Sequence, residues 1–134
     1  MCKGYPMALH FKYDELYNVI KHHVSLAKRY RDTPFNNFSI AFLSIHNKHR
    51  VDLEDMITHT LRDTDIVFDR EQFFIIFMPA TEYSGADMLI KELCEYLGQK
   101  RKDTIVSYPR DGANAVEMIG EFENRIQSDY GVIL

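Results

Sequence analysis

The side chains able to do chemistry are few and scattered along the chain. His46, His49, Asp52, Asp55 and His59 form the one cluster of metal-ligating types. Asp55 and His59 stand at i, i+4, which puts them on one face of a helix, and His46 and His49 can converge on that face from the preceding loop. An ordinary solvated loop accounts for the same residues. Arg62-Asp63-Thr64-Asp65 sets a guanidinium beside carboxylates in one short stretch. That spacing is common, and Arg29-Tyr30-Arg31-Asp32 repeats it, so a solvated helix end explains it equally well. His22 and His23, being adjacent, point to two faces of a helix and cannot chelate as a unit. Cys2 and Cys94 have no recognisable His or acid partner in the sequence, which leaves nucleophilic catalysis without support.

Composition narrows the class. A chain of 134 residues, 46% hydrophobic with 8 Tyr and 9 Phe, fits one domain with a packed core. A net charge of -4 argues against a general nucleic-acid or anionic-membrane binder, since that binding rests on a basic field. Two distant cysteines without a CxxC spacing suit reduced thiols in a cytoplasmic protein. No apolar run approaches the about 18 residues of a membrane span, and Met1-Cys2-Lys3-Gly4-Tyr5-Pro6 lacks the apolar core of a signal peptide. A soluble cytoplasmic domain is expected, with no nucleic acid and no membrane as partner.

The elements that must position these groups follow from periodicity. Residues 1–12 read as a lead-in and 13–134 as the domain. From Tyr13 to Arg31, Leu16, Val19, Ile20, His23, Val24, Ala27 and Tyr30 recur at three and four, which predicts an amphipathic helix. Phe38 to Ile45 is a nearly continuous apolar run, expected as a central strand buried on both faces. Val51 to Leu61 predicts a short helix. Ile66–Phe68 and Phe73–Met78 flank the charged patch Asp69-Arg70-Glu71-Gln72 and predict a β-hairpin that Pro79 ends. Ala86, Leu89, Ile90, Leu93, Cys94 and Leu97 mark the inner face of a helix that opens near Thr81 and stops at Gly98. Thr104–Tyr108 predicts a strand, residues 109–112 a turn, and Ala115–Ser128 a last helix through Val116, Ile119, Phe122 and Ile126. Pattern alone therefore supports an α/β chain, an α+β sandwich of ferredoxin-like type, a mixed sheet with a central β-hairpin flanked by helices.

Several clusters together resemble GGDEF domains, the diguanylate cyclases that condense two GTP into cyclic di-GMP. They are Asp14-Glu15-Leu16-Tyr17-Asn18, Leu61-Arg62-Asp63-Thr64-Asp65, the hairpin strands up to Pro79, the Val106-Ser107-Tyr108-Pro109 segment with Asp111 and Gly112, and the closing Gly131-Val132-Ile133-Leu134. The resemblance covers most of residues 14 to 134 and implies a nucleotide-cyclase-like fold. In the family the first strand ends in Asp-x-Asp, which helps hold Mg2+, whereas here Ser44-Ile45-His46 stands there. A hydroxyl and an imidazole are poor substitutes in a hard oxygen site. The family's turn glycines are replaced by Asp69 and Arg70, Glu71 and Gln72 take the acidic places, and the base-binding loop has no room between Asn47 and Leu61.

What the resemblance implies is a catalytically inactive GGDEF-like domain of bacterial signalling. It would act as a regulatory or protein-interaction module, partnered by another signalling protein or by a second copy. Arg62 and Asp65 occupy the family's inhibitory Arg-x-x-Asp site and are the expected binding residues for cyclic di-GMP. Two alternatives stand beside it: a metal-dependent enzyme on the same fold using the His46 to His59 cluster, and a ligand-free dimerisation module.

Overall fold

A computed structural model describes residues 9–44, 60–70, 73–97, 104–131 and 133. In chain order these form strand β1 (Leu9–Lys12), a short 3-10 turn (Tyr13–Glu15), helix α1 (Leu16–Arg29), β2 (Phe38–Ser44), β3 (Ile66–Arg70), β4 (Phe73–Pro79), helix α2 (Tyr83–Leu97), β5 (Ile105–Tyr108) and helix α3 (Ala115–Tyr130). The strands make one five-stranded mixed sheet in the order β1-β3-β4-β2-β5. Every pairing is antiparallel except that of β1 with β3.

β2 and β4 form the long inner pair, running in register from Phe38↔Pro79 to Ser44↔Phe73. Their nearly continuous apolar sequences follow from this position, because both faces of each strand are covered. On one face Ile40, Phe42, Phe68, Ile75, Phe77 and Val106 pack against Leu16, Ile20 and Val24 of α1 and Met118, Phe122 and Ile126 of α3. On the other, Ala41, Leu43, Val67, Phe74, Ile76 and Ile105 meet Ala86, Ile90, Leu93 and Cys94 of α2. The alternation of in-strand neighbours between these clusters is the period of two that a pleated strand imposes.

The hairpin forms as expected, with one difference. β3 runs on through Asp69 and Arg70, and Arg70 pairs with Phe73, so only residues 71 and 72 lie between the last paired positions. Such a two-residue connection is the tightest that antiparallel strands allow, and it draws the charged flank into the ladder. At the other end Pro79 is the final residue of β4, where no further ladder donor is required.

Three further differences have plain causes. Residues 9–12 of the expected lead-in are a strand, because Leu9–Lys12 finds its partner in β3, far along the chain. Val116, expected on the inner face of the last helix, is 68% exposed, and Ala115 is buried in its place. Counting back at about 100° per residue from Phe122 gives Met118 and then Ala115, which leaves Val116 off the stripe. Gly131, expected to open a closing strand, instead caps α3 at φ 69, with its N–H on the Gln127 carbonyl. The expected helix at 51–61 lies outside the described residues but for its last two positions.

Candidate functional site

Arg62 and Asp65 are brought together at the entry to β3. Asp65 is buried, its side chain 3% exposed, and it sits where the chain turns into the strand, with its N–H on the Arg62 carbonyl at 3.0 Å. One carboxylate oxygen, Oδ2, accepts the Arg62 backbone N–H at 2.8 Å and Nε at 3.4 Å. The other, Oδ1, accepts Nη2 at 2.9 Å. The same Nη2 lies 3.0 Å from the Pro79 carbonyl and 2.7 Å from Thr81 Oγ1, and Thr81 Oγ1 donates to Pro79 O at 2.9 Å. Arg62 therefore ties the start of β3 to the end of β4 while its side chain stays 53% exposed. The carboxylate of Asp65 is taken up by Arg62 on both oxygens.

Thr81 and the Pro79 carbonyl were not foreseen as partners. The signal that points to them is the fork itself: five N–H donors exceed what one carboxylate accepts, so further acceptors must lie nearby. Thr81 also leads inward. Its carbonyl accepts from Ser39 Oγ at 2.7 Å, and Ser39 Oγ pairs with Ser107 Oγ at 2.7 Å in the buried layer under α2.

Asp111 organises a second polar group at the β5 edge. Its Oδ2 accepts the Ser107 N–H at 2.9 Å and its own N–H returns to the Ser107 carbonyl at 2.8 Å. Arg125 of α3 reaches Asp111 Oδ1 at 3.1 Å, the Ile105 carbonyl at 2.7 Å and Glu121 at 2.7 Å. Thr104 gives its carbonyl to the Phe42 N–H, so Ile105 and Ser107 are the β5 residues whose backbone groups face outward. Asp111 and Arg125 thus occupy the edge that another strand would use. Burial alone would raise the Asp111 carboxyl, but the Ser107 N–H and the Arg110 and Arg125 guanidiniums outweigh it and hold it below the usual carboxylate range. Arg110 also lies 4.1 Å over the Tyr83 ring.

The end of β2 lies beside the hairpin. Ser44 is opposite Phe73, and Phe73 is also paired with Arg70, so the end of β2 adjoins the last paired residues of the hairpin. A hydroxyl is by itself a poor ligand for a hard divalent cation, which takes several charged oxygens. Among the described residues no group of three or more His, Cys, Asp or Glu side chains could hold a metal ion. His46, His49, Asp52, Asp55, His59 and Glu71 lie outside the described residues.

Cys94 is buried, and burial pushes its thiol up, away from the thiolate a nucleophile needs. Among the described residues no helix is long and apolar enough to cross a membrane. The chain matches no protein-family model and no curated protein in comparison.

Proposed function

We propose that the chain is a non-catalytic domain on a GGDEF-like, ferredoxin-like sheet, serving as a regulatory or protein-interaction module in bacterial signalling. The observation that carries this reading is the register that sets Ser44 against Phe73 at the mouth of the hairpin. The family builds its metal and phosphate site at that junction from carboxylates and glycines. Here a hydroxyl ends β2, and Asp69 and Arg70 stand as paired strand residues where glycines would let phosphate approach backbone. The order β3-β4-β2-β5, antiparallel throughout, agrees with a ferredoxin-like core to which β1 is added.

Within this reading Arg62 and Asp65 act first as a clasp between β3 and β4. A cyclic di-GMP receptor at the same residues would require the guanidinium to leave Asp65, Pro79 and Thr81, and would uncover a buried carboxylate. A thermal-shift screen with GTP, cyclic di-GMP and divalent metals separates the readings, because a ligand specific to the native state stabilises it by mass action. The clasp reading predicts no shift with cyclic di-GMP. A shift that vanishes in Arg62→Ala but survives in Arg29→Ala would establish the receptor reading instead.

A further inference from the structure

Helix α1 and the two residues after it carry charge of one sign. From Leu16 to Arg31 the charged residues are Lys21, Lys28, Arg29 and Arg31, with no Asp or Glu among them, in a chain whose net charge is -4. Arg62, Arg110 and Arg125 each hold a carboxylate within 3.2 Å, whereas none of these four cations has a carboxylate partner among the described residues. Uncompensated cations on one face of an acidic protein make a local positive field, which draws an anionic partner.

Two of the four, Lys21 and Lys28, line a groove of about 420 Å³ between α1 and α3. The buried side chains of Val24 and Ala115 form its base, and the exposed Tyr17 and Val116 stand at its rims. Glu117, the one acid in the lining, is already engaged, because its Oε1 accepts the Ala113 N–H at 2.8 Å. The groove is therefore apolar at its base and positive along its α1 side.

Two positions of α3 are poorly explained by the chain itself. Val116 is exposed, although a β-branched side chain brings a helix no propensity of its own. Gly120 stands one turn further on, and a Cβ added there would meet nothing within 4 Å. Glycine inside a helix costs stability relative to alanine, and packing within the chain does not require it here. A neighbour from outside the chain accounts for both, since it covers Val116 and comes close to the bare backbone of Gly120. Lys21 and Lys28 give that neighbour a spacing: seven residues at 1.5 Å each set them about 10.5 Å apart along α1, and a helix laid along the groove repeats a carboxylate after the same two turns.

Resting on the protein-interaction reading above, we propose that this groove docks an acidic amphipathic helix of a partner protein, its apolar face on Tyr17 and Val116 and its carboxylates on Lys21 and Lys28. The probe is a synthetic helical peptide of Leu, Ala and Glu, with Leu at three-and-four spacing and Glu repeated every seven positions. A scrambled peptide of the same composition and a version with Lys in place of Glu accompany it. Each is titrated into isotope-labelled protein and read by amide chemical shifts. The expected result is saturable perturbation centred on Tyr17, Lys21, Lys28 and Val116, with the scrambled peptide about tenfold weaker. The Lys21→Glu, Lys28→Glu variant should lose about tenfold for the acidic peptide and gain affinity for the Lys version, an exchange that a damaged fold cannot produce. Arg29→Glu, Arg31→Glu changes the net charge equally and should lose less than about threefold. Formation of cyclic di-GMP would sink the non-catalytic reading without moving any of these titrations, so the two fail separately. Absence of saturation up to millimolar concentration, equal binding of the scrambled peptide, equal losses in the two double variants or perturbation centred elsewhere would overturn the proposal. So would a wild-type dimer in sedimentation that Lys21→Glu, Lys28→Glu dissolves, because the face would then belong to a second copy.

Discussion

Replacing Asp65 with alanine is the sharpest test of the clasp. The substitution removes a carboxylate that is 3% exposed and accepts the Arg62 backbone N–H at 2.8 Å and Nη2 at 2.9 Å. The backbone N–H keeps no other acceptor among the described residues, and a hydrogen bond to a charged group contributes about 1.5–3 kcal/mol. The guanidinium retains Pro79 O and Thr81, and because it is half exposed its ion pair adds at most about 1 kcal/mol. The sum is a loss of about 2–4 kcal/mol. Asp65→Asn keeps the shape and one acceptor and should lose about half as much. Urea unfolding followed by circular dichroism measures both, and the Arg62→Ala, Asp65→Ala double variant should show a coupling of about 0.5–1 kcal/mol, since the cycle reads only the side-chain pair. An Asp65→Ala protein within about 0.5 kcal/mol of wild type, or a coupling near zero, would refute the reasoning.

Three further outcomes are expected. Asp111→Ala uncovers the β5 edge and removes one partner of Arg125, so it should destabilise by about 1–3 kcal/mol and raise concentration-dependent association in sedimentation above the wild-type level. Asn114 Oδ1 caps α3 through the Glu117 N–H at 2.9 Å, and Asn114→Ala should cost about 1 kcal/mol in the same unfolding assay. Burial lowers the pKa of the His23 imidazole, partly offset by its bond to Val19 and reinforced by His22. The unfolded chain then binds the proton more readily, so stability should fall as pH drops below about 6.5, and His23→Phe should flatten that slope between pH 7.5 and 5.5.

Much of the fold is legible in the sequence because it is written in local periods. The hairpin announces itself by two β-branched and aromatic runs around a charged patch, and α1 and α2 by stripes at three and four residues. What escapes is set by partners distant in the chain. Leu9–Lys12 is four residues without a strong pattern, and only its pairing with β3 makes it a strand. Val116 is a matter of phase, settled by where Asn114 starts the helix. That Arg62 and Asp65 meet follows from their closeness in the chain, but the contacts of Arg62 with Pro79 and Thr81 span 17 and 19 positions and leave no local trace. Ser107 and Asp111 fall within one readable turn, whereas Arg125 joins them only once α3 has folded back over the sheet edge.

Turnover tests most directly whether this chain is, as proposed, a non-catalytic domain of GGDEF-like type. Purified protein is incubated with GTP and either Mg2+ or Mn2+, and the nucleotides are separated by chromatography. The proposed reading predicts no cyclic di-GMP above the protein-free control. Cyclic di-GMP formed by wild type and absent from an Arg70→Ala, Glu71→Ala variant would contradict the account.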